Sequence, residues 1–406
     1  MRTLSALVLG LVFIELAIPQ SRDYFTIKVV DDQTGRGVPL VELSTTNEIS
    51  YYTDSNGIVA FYEPGLMNQI VYFNIKSDGY TFPEDTFGNL GVALNVIPGG
   101  HAEIKITRTS IAERLYRITG EGIYRDSVLV GAPVPIQHPL LDAQVMGQDS
   151  ALAIPYRGKI YWFWGDTAKP SYPLGNFGSS GATSEWPGKG GLDPSVGVNL
   201  SYFTNASGFS RPMLPSANFP GPGPKWIWEP MVMPDQTGRE RLFAFYSRIK
   251  MLGVDYEHGV AIFNDKTQDF ERLVQFDLHD AMFYCGSTAP VKVDVLTTEY
   301  YYQGSCRLRA DVADLKDTAS WEGFSPLVAG TRYQKGAKLD RAPDGRLRYA
   351  WKHNTPPLSP SEEQELIAAR KMKPSEAFFQ LRSVDTDKRS TLGVRLSGTL
   401  SANAGS

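Results

Sequence analysis

The segment GQDSALAIPYRGKIYWFWGDT, residues 147–167, constrains the fold more than any other part of this chain. It is typical of a β-hairpin, because two apolar runs flank a tight turn at Arg157 and Gly158. Asp149 opens the first run and Asp166 closes the second, so antiparallel pairing would place both carboxylates at one edge of a sheet. Two carboxylates at one edge are what the hydrolysis of a glycosidic bond requires.

Length and composition bound the possible folds. A chain of 406 residues exceeds what one hydrophobic core usually organises, which predicts two domains. With 42% hydrophobic and 21% charged residues, the chain is globular rather than disordered. A formal net charge of -4 provides no broad positive field, which argues against nucleic acid as a partner and favours a neutral or polar ligand.

The N-terminus, residues 1–21, is predicted to be a signal peptide. Arg2 precedes an apolar stretch from Leu4 to Ile14, which is too short to span a bilayer, and Ala17–Ser21 resembles a cleavage site. A retained anchor is the alternative. No later window is long and apolar enough for a membrane helix. We therefore expect a secreted or periplasmic protein.

The two cysteines, Cys285 and Cys306, fit an exported chain, in which a disulfide can persist. They flank two strand-like runs, so a hairpin could bring them within bridging distance. Two unpaired buried thiols are an equally good interpretation. The sequence contains neither a CxxC motif nor a cluster of cysteine and histidine, so a zinc site has no support.

Residues 24–108 are predicted to form a β-sandwich, since about seven short alternating runs are separated by Gly, Pro and Asn turns. This part resembles the transthyretin-like, or carboxypeptidase regulatory-like, modules of exported bacterial proteins. The resemblance rests on Asp31–Gly35, Val38-Pro39 and Thr53–Gly57. It implies an accessory module rather than a catalyst.

Calcium is the one metal that the sequence allows. Asp32, Asp54 and Asn56 carry oxygen ligands of the type that calcium prefers, and Asp149 could also contribute. Aspartate and asparagine in turns usually accept hydrogen bonds from nearby backbone amides instead. We therefore predict turns and no bound metal or cofactor, with calcium as the alternative.

Residues 109–131 are predicted to form an extended linker and a first strand, after which the chain repeats itself. Four segments begin with small or charged residues, run apolar, turn, and end in an aromatic strand; they start at Asp149, Glu229, Gly286 and Gly336. Repeated four-stranded units around an axis predict a β-propeller over 132–388, with a stacked sandwich as the alternative. A fifth unit is missing and 389–406 appears irregular in composition, so we expect a propeller that is incomplete at the C-terminus.

In an arrangement of this kind, the start of each inner strand lies on one rim of the domain. That rim would collect Asp149, Asp166 and Glu229. Here the sequence resembles the five-bladed propeller glycosidases of the arabinanase and levansucrase type. The resemblance implies a base or nucleophile at Asp149 and an acidic position at Glu229, where the family more often has Asp. The third unit has Gly286-Ser287-Thr288 where the family has an acid, so the resemblance fails there.

Two glutamates are candidates for the general acid. Glu229 lies among tryptophans, where partial loss of solvent would favour its protonated form, and Glu257 is the second choice. Asp166 completes the predicted catalytic set in a supporting role. Each carboxylate could instead cap a turn or pair with arginine, and for Asp166 that structural role is the stronger interpretation.

Tryptophans in regions rich in Gly and Pro are candidates for stacking against sugar rings. Trp186, Trp226 and Trp228 form the predicted substrate-binding set, and Trp321 has similar surroundings. The rim argument adds two further substrate-binding candidates, Arg248 and His353. The segment from Lys169 to Gly191 is predicted to be a long loop over the same face.

Taken together, the sequence predicts an exported, all-β protein that cleaves a polysaccharide with carboxylates on one rim of a propeller. A non-catalytic protein that binds carbohydrate or another cell-surface component is the alternative. The predicted partner is a polysaccharide or another glycan.

Overall fold

The computed structural model describes residues 23–283, 290–334, 337–384 and 391–396, the stretches 380–384 and 391–396 by their backbone alone. The described chain consists mainly of β-strands in several sheets, with three short helices. The predicted all-β class is confirmed. Two compact units are present, and the first contains the described residues up to Ile118 together with Gly122–Leu140 and Ser195–Gly197. The remaining described residues form the second unit.

The first unit contains two four-stranded sheets. Its elements are β1 (Phe25–Asp31), β2 (Glu42–Thr45), β3 (Ser50–Tyr52), β4 (Ile58–Phe61), β5 (Gln69–Lys76), β6 (Tyr80–Thr81), β7 (Gly91–Val96), β8 (His101–Arg108) and α1 (Arg125–Leu129). The strand orders are β4-β1-β8-β6 and β3-β2-β5-β7. Alternate side chains of both sheets, among them Ile27, Phe61 and Phe73, fill one shared core.

Asp54 ties α1 to the turn that precedes β4. Its Oδ1 accepts the backbone N–H groups of Asn56 (2.9 Å) and Ile58 (3.2 Å), and its Oδ2 accepts the N–H of Ser127 (2.6 Å). Asp126 on α1 in turn accepts the N–H of Ala60 at 2.9 Å. These bonds explain why a helix stands where we predicted a first strand. They also show that Asp54 accepts hydrogen bonds from backbone amides, as the turn interpretation predicts.

The second unit contains the remaining strands. Its elements are β9 (Gly147–Gln148), β10 (Leu152–Tyr156), β11 (Lys159–Trp164), β12 (Thr167–Lys169), β13 (Tyr172–Asn176), β14 (Ser180–Glu185), β15 (Ser201–Tyr202), β16 (Lys225–Pro234), β17 (Glu240–Met251), β18 (Val254–Asn264), β19 (Asp269–Gln275), β20 (Val291–Val295), β21 (Thr298–Gln303), β22 (Cys306–Arg309), α2 (Val312–Leu315), β23 (Glu322–Ser325), β24 (Ala350–His353), α3 (Pro360–Ala368), β25 (Phe379–Val384) and β26 (Thr391–Leu396).

Three antiparallel sheets dominate this unit, with strand orders β10-β11-β14-β15, β16-β17-β18-β19 and β20-β21-β22-β23-β24. The sheet β16–β19 buries both of its faces. Along β17, Leu242 and Tyr246 enter the core that holds Phe163 of β11, whereas Phe243 and Phe245 enter the core that holds Tyr301 and Leu308. Burial on both faces explains why residues 242–246 of β17 form an unbroken apolar run.

The hairpin predicted at residues 147–167 is present. Tyr156 pairs with Lys159, and the two residues between them, Arg157 and Gly158, have φ values of 47° and 78°. Two positive φ angles define the type I′ turn that matches the twist of the flanking strands. The pairing continues to Leu152 opposite Phe163. The residues just before Leu152 and just after Phe163 therefore lie at the same edge of the sheet.

Two predicted boundaries are wrong in the second unit. The range 169–191 is not one long loop, because β13 and β14 lie within it. β14 is the third strand of its sheet. A Cβ added at its Gly181 would be 3.1 Å from Phe163 and 3.0 Å from Met213. This close packing explains why β14 has a glycine at that position. The fourth repeat does not begin a new sheet, since β24 pairs with β23 as a fifth strand.

The C-terminal part departs from prediction in one place. The range 389–406 was predicted to be irregular, but residues 391–396 form β26 and pair with β25. Leu392, Val394 and Leu396 alternate with other residues there, as a strand requires. The helix α3 begins at a capping box formed by Ser359 and Glu362.

Several predictions fall on residues that the structure does not describe. The predicted signal peptide, residues 1–21, lies outside the described part, as do Cys285 and the segment Gly286-Ser287-Thr288. Cys306 is disulfide-bonded. No helix within the described ranges combines the length and apolar character that crossing a membrane demands.

Replacing Asp54 with alanine is expected to destabilise the first unit. The change leaves three backbone N–H groups without their acceptor, which costs about 3 kcal/mol when such groups are buried. Chemical denaturation of the full chain, followed by hydrogen exchange of the backbone amides of β1 and β4, measures the loss. Asp32→Ala is the matched control, because Asp32 is exposed and bonds one hydroxyl, that of Thr107. Equal stability of the two variants would contradict the prediction.

Candidate functional site

The edge of the β10–β11 hairpin brings the two predicted aspartates together. The Oδ1 atom of Asp149 accepts the backbone N–H of Asp166 at 3.0 Å, and the Asp149 carbonyl accepts the N–H of Gly165 at 2.9 Å. Gly165 lies directly against the Asp149 carboxylate. A Cβ added at Gly165 would be 2.1 Å from the Asp149 Oδ1, so a larger residue would displace that side chain. The Asp149 carboxylate is exposed to solvent. It is therefore both fixed in place and accessible.

Asp166 links this edge to the neighbouring sheet. Its Oδ1 accepts the indole N–H of Trp226, the second residue of β16, at 2.9 Å. Burial raises the pKa of the Asp166 carboxyl, the Trp226 bond opposes that rise, and the nearby charge of Asp149 adds to it. The charge of Asp149 thus disfavours ionisation of Asp166.

The start of β16 is held by contacts to the loop before β14. The N–H of Ser179 donates to the Lys225 carbonyl at 2.9 Å, and the Ser179 hydroxyl accepts the N–H of Ile227 at 2.9 Å. The Trp226 ring packs edge to face against Phe177, whose side chain is 49% exposed. An aromatic surface therefore borders the carboxylate pair.

Glu229 occupies a β-bulge farther along β16. Trp228 pairs with Phe245 and Met231 with Phe243, so Glu229 and Pro230 together face a single residue of β17. Glu229 has a φ of 51°, a left-handed conformation that is unfavourable for a residue with a side chain, particularly before proline. Such strain costs on the order of 1 kcal/mol and is characteristic of functional sites.

The Glu229 side chain is buried, with 7% of its surface exposed. Among the described residues its carboxyl forms neither a hydrogen bond nor an ion pair. Burial without a charged partner raises its pKa from 4.5 to about 8. A carboxyl group with this pKa is protonated at neutral pH and can donate a proton, which is the property of a general acid.

Glu257, the second candidate for the general acid, has a different environment. It is buried between two guanidinium groups, with 3.1 Å to Arg248 and 2.7 Å to Arg272. Each of its carboxyl oxygens thus accepts a hydrogen bond from an arginine, an arrangement that suits a structural ion pair. Arg248 also donates to the Pro222 carbonyl at 3.1 Å. The general-acid role of Glu257 and the substrate contact of Arg248 stay predictions.

The remaining predicted substrate-binding residues divide into two groups. Trp226 and Trp228 lie on β16 rather than in loops, and Trp228 packs partly against the core. Trp186 follows β14 in a turn and is partly exposed, but no described contact joins it to the carboxylates. Trp321 is a core residue, 1% exposed, and its indole N–H donates to the Asp314 carbonyl.

His353 has contacts with neighbouring segments of its own sheet. It lies on β24, at the opposite edge of its sheet from β20, and its Nδ1 atom is 2.8 Å from the Ser320 carbonyl oxygen. No described contact joins it to Asp149, Asp166 or Glu229, and its substrate contact stays a prediction.

Two residues of the site escaped the sequence analysis. Phe177 and Ser179 lie in a stretch rich in Gly and Ser that we predicted to be a loop. The isolated Phe177 among small residues was the available signal, since a large aromatic residue in such a stretch needs a packing partner. The bond between Asp166 and Trp226 spans sixty residues and left no local signal.

No group of three or more His, Cys, Asp or Glu side chains is arranged to hold a metal ion in the part of the chain that the structure describes.

Comparisons with known proteins found little similarity to this chain. No protein-family model matches the chain, and no curated protein matches it. Among solved structures, an endo-arabinase from Bacteroides thetaiotaomicron VPI-5482 aligns with 12% identity and a TM-score of 0.24. The alignment covers 41% of this chain and 58% of that chain, so this chain spans little more than half of that protein's length. A TM-score this low does not establish a shared fold.

The Glu229 carboxyl is expected to make stability depend on pH. Because its pKa is raised on folding, the folded state holds the proton more tightly, and the full stability is present below about 4.5 and is lost as pH rises to about 8. The loss is on the order of a few kcal/mol. Glu229→Gln stays neutral at every pH, so its melting temperature should rise relative to the wild type as pH increases through this window.

The control for this experiment is Glu185→Gln, since Glu185 belongs to the same unit and its side chain is 46% exposed. Melting temperatures of the three proteins between pH 4.5 and 9 provide the measurement. A constant difference between Glu229→Gln and the wild type across that range would show that Glu229 titrates normally.

Proposed function

We propose that the second unit is a glycoside hydrolase that acts on a polysaccharide, with Glu229 as general acid. The observation that carries this proposal is the buried Glu229 carboxyl, which has no described partner, sits on a strained bulge and has a pKa of about 8. A structural carboxyl group would be paired or exposed, because burying an unpaired one destabilises the fold. A proton donor benefits from that environment.

In the proposed reaction Glu229 gives its proton to the glycosidic oxygen as the bond from that oxygen to the anomeric carbon breaks. Asp149 acts as the base or nucleophile on the other side of the sugar, either by deprotonating the attacking water or by bonding the anomeric carbon itself. Asp166 supports Asp149, since its backbone N–H orients the Asp149 carboxylate at 3.0 Å. If Asp149 bonds the anomeric carbon, Glu229 regains its proton from the water that cleaves this glycosyl–enzyme bond and frees Asp149. If Asp149 instead deprotonates the attacking water, Asp149 releases that proton to solvent and Glu229 is reprotonated from solvent.

The aromatic surface beside the aspartates supports a sugar ligand. Trp226 is fixed by its bond to Asp166, and Phe177 packs against it with half of its surface exposed. Rigid, partly exposed rings can stack against the apolar face of a sugar without much loss of side-chain entropy. Export of the protein, proposed from its N-terminal sequence, would give it access to extracellular polysaccharides.

The proposal predicts that Asp149→Asn and Glu229→Gln each lower glycan hydrolysis by at least about 100-fold, because general acid and base groups contribute that much. Release of reducing ends from debranched arabinan, levan, β-glucan and polygalacturonate is the measurement. The wild-type rate should also fall as pH rises through about 8, where Glu229 loses its proton. Full activity in both variants would refute the assignment.

A rival function is glycan binding without catalysis, which the exposed Phe177 and the fixed Trp226 also fit. In that case Phe177→Ala would abolish retention on a polysaccharide gel, whereas Glu229→Gln would bind normally and no substrate would be cleaved by the wild type. The two functions therefore separate on whether the wild type releases reducing ends.

Gly165→Ala tests the position of Asp149 without changing a carboxyl group. The added methyl would collide with the Asp149 Oδ1 and displace it, so hydrolysis should fall by about 100-fold, as small misplacements of reacting groups do. Gly147→Ala is the matched control on β9, because an added Cβ there meets nothing within 4 Å. Equal rates for the two variants would mean that Asp149 does not need this position.

A further inference from the structure

The first unit contains a cleft of about 480 Å³ between the turn that joins β2 to β3 and the turn that joins β4 to β5. Residues that line the cleft include Ile49, Tyr51, Glu63, Leu66 and Ile70. A cleft of this volume is large enough for a small organic molecule. All of its residues belong to the first unit, so the cleft shares none with the proposed catalytic set.

Backbone hydrogen bonds hold both walls of the cleft. In the first turn, the N–H of Thr45 donates to the Ile49 carbonyl at 3.1 Å. In the second turn, the Glu63 carbonyl accepts the N–H groups of Leu66 at 2.8 Å and Met67 at 3.1 Å. The walls are therefore formed by the fold itself, and a preformed site binds a ligand with little loss of conformational entropy.

Two isoleucines give the cleft an apolar surface that the fold does not use. Ile49 is 49% exposed and Ile70 is 76% exposed, whereas Leu66 beside them packs partly against the core of the sandwich. Single exposed apolar side chains are common on protein surfaces, but two that line the same concavity provide a continuous apolar contact for a ligand.

The charge in the cleft comes from one residue. Among the described residues that line it, Glu63 alone is charged, and its partly buried carboxylate forms neither a hydrogen bond nor an ion pair within the described part of the chain. Burial raises the pKa of the Tyr51 hydroxyl, and the charge of Glu63 adds to that rise. The Glu63 carboxylate and the Tyr51 hydroxyl are therefore close enough to interact with one group of a ligand.

The chemistry of these residues selects the ligand. An ammonium group can donate hydrogen bonds to a carboxylate and to a tyrosine hydroxyl, and its positive charge matches that of Glu63. An anionic ligand would be repelled, and a neutral one would leave the carboxylate without a counter-charge. We propose that this cleft binds a small organic amine, with the ammonium group against Glu63 and Tyr51 and the apolar chain on Ile49 and Ile70.

A small molecule is favoured over the lysine side chain of a polypeptide. A concavity of this volume covers most of the surface of a small ligand, whereas a lysine stem would occupy only part of it. The two sources of an ammonium group can be separated by comparing a free amine with a lysine whose backbone is blocked at both ends.

The test is isothermal titration calorimetry on the full-length protein with hexylamine, hexan-1-ol, hexanoate and Nα-acetyl-lysine-N-methylamide. The wild type is compared with Glu63→Gln, which removes the charge, and with Ile70→Ser, which removes an apolar contact. Glu103→Gln is the matched control, because Glu103 is an exposed glutamate on β8 that does not line the cleft.

We expect the wild type to bind hexylamine about tenfold more tightly than hexan-1-ol, since hydrogen bonds to a charged group contribute that much, and not to bind hexanoate. Glu63→Gln should remove the preference for the amine over the alcohol. Ile70→Ser should weaken the binding of both by about three- to tenfold and keep the preference, because it changes only the apolar contact. Glu103→Gln should bind like the wild type.

Three results would overturn the proposal: equal affinity of the wild type for hexylamine and hexan-1-ol, an unchanged preference for the amine in Glu63→Gln, or tighter binding of the blocked lysine than of hexylamine. The last result would identify a polypeptide as the partner. If Glu63→Gln is unstable, the comparison of the three hexyl compounds on the wild type and on Ile70→Ser still decides the outcome. None of these measurements depends on glycan hydrolysis.

Discussion

The burial of the β16–β19 sheet on both faces is the constraint on which the second unit depends. Leu242 and Tyr246 of β17 face one core while Phe243 and Phe245 face another, so a shift of one residue would exchange every side chain between the two cores. The register of this sheet is therefore strongly fixed. That register determines which residue begins β16 and hence which tryptophan reaches Asp166.

The bulge at Glu229 and Pro230 interrupts this otherwise regular sheet. Proline removes a backbone donor, and Glu229 adopts a left-handed conformation in order to continue the strand. Residues of β16 on both sides of the bulge pack into a core, and this packing holds Glu229 in its strained conformation. The same core removes water from the Glu229 carboxyl, so strain, burial and the raised pKa have one common origin.

Parts of this architecture could be predicted because their signals are local. The turn at Arg157 and Gly158 follows from glycine between two apolar runs, and it places Asp149 beside Asp166 by pairing alone. The environment of Glu257 could not be predicted, because its two arginine partners come from different positions across the sheet. Trp321 was misjudged for the same reason, since its burial depends on the packing of Phe245 against it.

The amino-acid sequence by itself determined the all-β class, the hairpin with an aspartate at each end and the candidate acid at Glu229, since each depends on residues close together in the chain. Only the tertiary structure decided which of these residues meet. The indole bond from Trp226 to Asp166 and the burial of the Glu229 carboxyl both arise from contacts between segments far apart in sequence. Such contacts depend on the register and burial of whole sheets, which local patterns do not encode.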